Sequence, residues 1–163
     1  MEIKILVPSS ESDVEALRNL GYEYLATLSK NMITREYFES QNFQLEIDKM
    51  PSGFERPNGI CLLAYVNNES AGTVAVRRID ANTCEMKRLF VKPKFQGMGL
   101  GRQLAERVMA EAKDLGYTKM RLDTSRSAMA AGISLYQSMG FYEIAPYNDN
   151  FIVDAIFMEK ILD

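Results

Sequence analysis

The sequence predicts an α+β fold on a mixed sheet, and three features carry that prediction. Strand-like runs at 60–67, 71–79 and 83–91 follow one another across short turns, as in an antiparallel meander. The third run leads through Pro93 and a turn with glycines at 97, 99 and 101 into the most regular amphipathic helix of the chain. A further strand at 119–123 follows that helix, so this strand–helix–strand unit should be parallel and right-handed.

The elements can be justified in order. Residues 2–7 read as a first strand. Ser12 and Asp13 suit the N-cap of a helix over about 13–29, with Val14, Leu17, Leu20, Tyr24, Leu25 and Leu28 on its apolar face. A second helix is expected over 33–48, and Pro51, Gly53, Pro57 and Gly59 then mark a loop. Asn67-Asn68-Glu69-Ser70 and Asp80-Ala81-Asn82 are the two turns of the meander. In the helix 99–116, Leu100, Leu104, Val108, Ala112 and Leu115 keep a 3.6-residue period, while Arg102, Glu106, Arg107, Glu111 and Lys113 take the opposite face and Gly116 ends it. After the strand at 119–123 come a helix over 127–138 and closing strands near 141–145 and 152–160. The sum is a central, mostly antiparallel sheet of about seven strands flanked by about four helices.

The 163 residues suit one domain, 1–163, with a full core. No apolar run reaches the ~18 residues of a membrane span, and the first eight residues are too polar for a signal peptide. Cys61 and Cys84 lie inside strand-like runs, which fits reduced core thiols of a cytoplasmic protein. Histidine is absent, which excludes Ser-His-Asp and Cys-His sites; with only two cysteines, no metal site is expected. A net charge of −3 and a pI near 5.2 argue against a nucleic-acid surface. Positive charge is local: Lys87, Arg88, Lys92, Lys94 and Arg102 flank the glycine turn in sequence.

That turn reads as an anion site. Glycines leave backbone N–H groups unobstructed, and a helix N-terminus adds unpaired donors and partial positive charge. A phosphate or pyrophosphate is the natural ligand. The turn has no Gly-Lys-Ser/Thr ending, so it is not a P-loop. The dinucleotide fingerprint fits poorly, because Arg102 replaces its third glycine and Lys92 to Phe95 separate strand from turn. Asp123 does lie at a suitable distance downstream to hold a ribose, so that alternative stays open.

Here the chain resembles a known family. Gln96-Gly97-Met98-Gly99-Leu100-Gly101 matches the Gln/Arg-x-x-Gly-x-Gly/Ala signature of the GNAT superfamily of N-acetyltransferases, with Leu89-Phe90-Val91 before it at the family's spacing. Leu135-Tyr136-Gln137-Ser138-Met139-Gly140-Phe141 is similar to a second landmark, Leu-Tyr-x-x-x-Gly-Phe, and 156–160 to the family's last strand. The likeness is good over about 60–160 and weak over the first 55 residues.

The resemblance implies direct acetyl transfer from acetyl-CoA to a primary amine of a small molecule, peptide or protein, by a monomer or homodimer without metal, nucleic acid or membrane. It implies a splayed strand pair around the glycine-turn helix with acyl-CoA in the gap. The cofactor would lie on Leu89, Phe90 and Val91 and on Gln96, Gly97, Met98, Gly99, Leu100, Gly101 and Arg102. A backbone N–H of the strand would polarise the thioester carbonyl, and Tyr136 would protonate the leaving thiolate. Many members carry an Asn seven residues before that tyrosine; here it is Met129, so that cofactor contact is not carried over. A non-catalytic acyl-CoA-binding module is the other reading.

The amine must lose a proton to attack, and with no histidine a carboxylate is the available base. Glu85 is the candidate, placed by period two on the strand face of Lys87 and Leu89. Substrate contacts are expected from the N-terminal third and the last loop, among Tyr22, Tyr24, Arg56, Tyr147 and Asp149.

Overall fold

The computed structural model describes residues 1–30, 32–126 and 130–163. Along the chain run β1 (Ile3–Leu6), α1 (Glu11–Leu28), α2 (Met32–Ser40), α3 (Phe43–Lys49), β2 (Ile60–Val66), β3 (Glu69–Arg78), β4 (Thr83–Val91), α4 (Leu100–Asp114), β5 (Lys119–Ser125), α5 (Ala130–Ser138), β6 (Tyr142–Ile144) and β7 (Ala155–Ile161). The strands form one sheet in the order β1-β2-β3-β4-β5-β7-β6. Every neighbouring pair is antiparallel except β4 and β5. The expected meander is β2-β3-β4; its first turn needs only Asn67 and Asn68, both left-handed at φ 49° and 67°, as a tight two-residue hairpin requires.

Both faces of the sheet are covered. Ile60, Leu62, Ala64 and Val66 of β2 join Leu100, Leu104 and Val108 of α4 in the main core, while Cys61 and Leu63 face Leu17 and Leu20 of α1. Burial on two faces is why β2 is apolar along its whole length rather than alternating. Cys61 and Cys84 are free thiols in clusters on opposite faces, and burial pushes both up to about 12, so neither is a nucleophile at neutral pH. Among the described residues no helix is long and apolar enough to cross a membrane.

Two differences from the sequence expectation concern the first helices. The N-cap of α1 is Ser10, not Ser12: its hydroxyl accepts from the Asp13 amide at 3.1 Å, and the Asp13 carboxylate accepts from the Ser10 amide in return. The helix expected over 33–48 is two helices, broken at Asn42, which is left-handed at φ 55°. In one straight helix Phe38 and Phe43 would stand about 140° apart. The break lets both rings meet, with centroids 5.2 Å apart in a buried cluster.

Candidate active site

The site begins where two strands part. β4 and β5 pair only over Thr83–Lys119, Cys84–Met120 and Glu85–Arg121. Beyond that β5 continues against β7 and β4 against β3, leaving the remaining β5-facing edge of β4 without a strand partner. A cleft of about 250 Å³ opens between them. Met86 to Val91 and Leu122 to Thr124 line its walls, with Tyr24, Tyr37, Gln96, Gly132 and Tyr136 around them.

A bulge shapes the β4 wall. Thr73 pairs with Phe90 and Ala75 with Lys87, so three steps on β4 face two on β3. Arg88 takes the bulge at φ 61°, which is strained for a residue with a side chain. Its guanidinium offsets that strain: it donates to both Glu46 carboxylate oxygens at 2.7 and 3.0 Å and lies 4.1 Å from the Phe43 ring centroid. The extra residue also ends the period-two expectation. Leu89 packs into the α4-side core, while Glu85 and Lys87 keep to the other face.

The glycine turn closes one end. The Gln96 side-chain amide donates to the Val91 carbonyl at 3.0 Å, fastening turn to strand. Gly97 and Gly99 are left-handed at φ 84° and 81°, and Gly99 is the N-cap of α4 without a side-chain cap. Among the described residues the amides of Gly97 to Arg102 have no acceptor. The cations expected around this turn divide into two groups. Lys87 and Arg88 are buried in ion pairs on the α1–α3 side and do not belong to it. Lys92 stays at the strand end near Ser70 and Glu23, Lys94 pairs with Glu69 at 2.8 Å, and Arg102 donates to Ser138 at 2.5 Å.

Tyr136 projects from α5 into the cleft. Its ring lies against Gly132 and meets Phe141 edge-on at 5.7 Å, and burial raises its hydroxyl well above the ordinary tyrosine range. Glu85 is buried just behind the lining. It accepts from Tyr147 at 2.6 Å and from Arg77 at 2.9 Å, with the Lys87 ammonium 3.8 Å away. Burial, joined by the Glu85 charge, raises Tyr147 strongly and keeps it a donor. Asp123, across the cleft on β5, accepts from Asn148 at 2.9 Å, Asn150 at 3.2 Å and Tyr37 at 3.5 Å.

Residues 27–141, more than half of the chain, match the acetyltransferase (GNAT) family. The chain belongs to the GNAT acetyltransferase family. An uncharacterized N-acetyltransferase of Schizosaccharomyces pombe is 32% identical over 158 residues, 96% of this chain and 93% of that one. The fold is shared with a GNAT-family acetyltransferase of Staphylococcus aureus at TM-score 0.78 and 22% identity, covering 99% of this chain and all of that one. It is also shared with a GNAT-family acetyltransferase of Elizabethkingia anophelis solved with acetyl-CoA bound, at TM-score 0.69 and 22% identity, covering 98% of both chains.

Within this GNAT fold, Tyr24 and Tyr147 are the two expected substrate residues that reach the cleft or its buried network. Tyr22 bonds Asp48, Arg56 pairs with Glu111 and Asp149 is exposed, none of them in the cleft lining. Met129 lies outside the described residues. Tyr37 was not legible as a site residue, while Lys87 was expected beside the glycine turn and Asp123 only as a ribose ligand, so their meeting in this cleft was not legible either. One signal existed: β2 and β3 are apolar enough to be buried on both faces, so charged residues on the adjoining β4 must be buried too.

Proposed function

We propose that residues 1–163 form one acetyltransferase domain that moves the acetyl group of acetyl-CoA directly to a primary amine in a ternary complex. The observation that carries this reading is the splayed β4–β5 cleft, which holds the partly buried Tyr136 and reaches at Gln96 the turn whose amides are unpaired among the described residues. The amides of Gly97 to Arg102 hold the pyrophosphate, as unpaired N–H groups at a helix N-terminus do. The free edge of Leu89, Phe90 and Val91 hydrogen-bonds the pantetheine arm, and one of its N–H groups faces the thioester oxygen. Gln96 sets the geometry by holding Val91.

In the reaction the neutral amine attacks the thioester carbonyl carbon, the N–C bond forms, the C–S bond breaks and the thiolate leaves. The amine nitrogen gives up one proton and the CoA sulfur takes one, so the products are an acetamide and CoA thiol. Tyr136 serves the sulfur. Its hydroxyl is held above its ordinary value while a thiol titrates near 8.5, so complete transfer is uphill and a hydrogen bond to the developing thiolate is its main contribution.

Glu85 receives the amine proton through a bridging water. Each carboxylate oxygen has two acceptor sites, so Arg77 and Tyr147 leave it capacity. At pH 7.5 an amine with pKa near 10.4 is neutral about one time in a thousand, a cost of roughly 4 kcal/mol. Glu85→Gln is therefore expected to slow such an amine near pH 7.5 and to recover partly toward pH 9–10, with an amine of pKa near 8 much less affected. Parallel pH–rate profiles for wild type and variant would move the role to Asp123, the carboxylate in the lining.

The experiment for the activity is thiol release from acetyl-CoA across a panel of amines. Acetylated product from at least one amine is expected; binding of acetyl-CoA with no turnover on any would leave an acyl-CoA-binding module instead.

A further inference from the structure

We infer that the acceptor is an amine that carries its own carboxylate, bound as a zwitterion with the carboxylate on Lys87 and the ammonium on Asp123, a reading that rests on acetyl transfer in the same cleft. The Lys87 side chain is 4% exposed yet lines the cleft. The carboxylate oxygens near its ammonium are Glu85 Oε1 at 3.8 Å and Asp123 Oδ1 at 4.0 Å, both beyond hydrogen-bond reach. An ammonium has three donors, and among the described residues none of these three finds an acceptor. Among the described residues no side-chain nitrogen or oxygen sealed from solvent lacks a partner, so this ammonium is open to the cleft rather than enclosed. A buried charge without hydrogen bonds is costly, and a ligand anion would relieve that cost.

The surrounding charges do not compete for this role. Arg88 is committed to Glu46 through two hydrogen bonds, and Arg77 to Glu85 through one. Those pairs neutralise each other and leave Lys87 and Asp123 to set the field. Asp123 Oδ2 takes all three of its donors, from Asn148, Asn150 and Tyr37. Among the described residues its Oδ1 has only the Lys87 ammonium, at 4.0 Å. The two walls thus present a cation on β4 and an anion on β5, 4.0 Å apart, each with unused hydrogen-bonding capacity toward the cleft. An α-amino acid, with ammonium and carboxylate on one carbon, matches that pair. A simple alkylamine answers Asp123 and leaves Lys87 unbonded.

The test compares an amino acid with the amine made by removing its carboxylate. Wild type is expected to favour the amino acid in kcat/KM by about 10- to 100-fold, the range for one charged hydrogen-bonding contact. Lys87→Met should collapse that ratio toward one, mainly by raising KM for the amino acid, while Lys87→Arg should keep most of it. A thermal shift by acetyl-CoA alone reports the cofactor end separately: its absence in wild type defeats the acetyltransferase reading itself. A normal acetyl-CoA shift with equal use of the two amines, or a ratio that survives Lys87→Met, overturns the zwitterion assignment. Should Lys87→Met not fold, stabilisation of wild type by the amino acid but not by its decarboxylated amine supports the assignment, and equal stabilisation overturns it.

Discussion

Replacing Tyr136 with Phe is expected to lower kcat by about 10²-fold, close to 2.7 kcal/mol of transition-state stabilisation, with the fold intact. The substitution removes one oxygen and keeps the ring that packs edge-on against Phe141 and lies along Gly132. If the hydroxyl acts on the leaving thiolate, its loss appears in kcat and kcat/KM together, since the interaction forms as the C–S bond breaks. A thioester with a more acidic leaving thiol should suffer less, because its thiolate needs less help. Unaltered kcat with a lowered Tm would assign Tyr136 to packing alone.

The second large effect is expected at Gly99. Acetyl-CoA at about 100 times its Kd should stabilise the wild-type protein by about 2.7 kcal/mol, which for a domain of this size is a Tm rise of roughly 5–11 °C. Gly99→Val should abolish that rise. Gly99 is left-handed at φ 81° where α4 begins, a conformation that a β-branched residue resists, so the turn must reshape and its amides must shift. The variant should also lose about 1–2 kcal/mol of intrinsic stability from the same strain. The shift on adding ligand, read against the variant's own baseline, separates the two effects. An unchanged shift would sink the assignment of the pyrophosphate site.

Most of the architecture was legible because it rests on local rules. The 3.6-residue stripe of α4 and the tight turns of β2-β3-β4 depend on residues close in sequence, and both stand where expected. The helix over 33–48 failed because one left-handed Asn costs little locally and gains by seating Phe38 and Phe43 in the same cluster. The shared face of Glu85, Lys87 and Leu89 failed for a related reason. The bulge at Arg88 has no local signature: no glycine marks it, and its strained backbone is held by Glu46 and Phe43, more than 40 positions away.

By itself, then, the sequence determined the order of elements, the glycine turn that leaves its amides free, the absence of a histidine base and membership of the GNAT family, since each follows from residue identity and short spacings. Only the tertiary structure decided which charges belong to the cleft. Lys87 and Arg88 are adjacent cations in the chain; the bulge and the two-sided burial of the sheet give one a bidentate partner and leave the other, among the described residues, with ion-pair neighbours but no hydrogen bond at the cleft wall. Asp123 meets Lys87 because β4 and β5 part just after Glu85 and Arg121, a separation that depends on strand pairing across more than 30 residues and that no local pattern encodes.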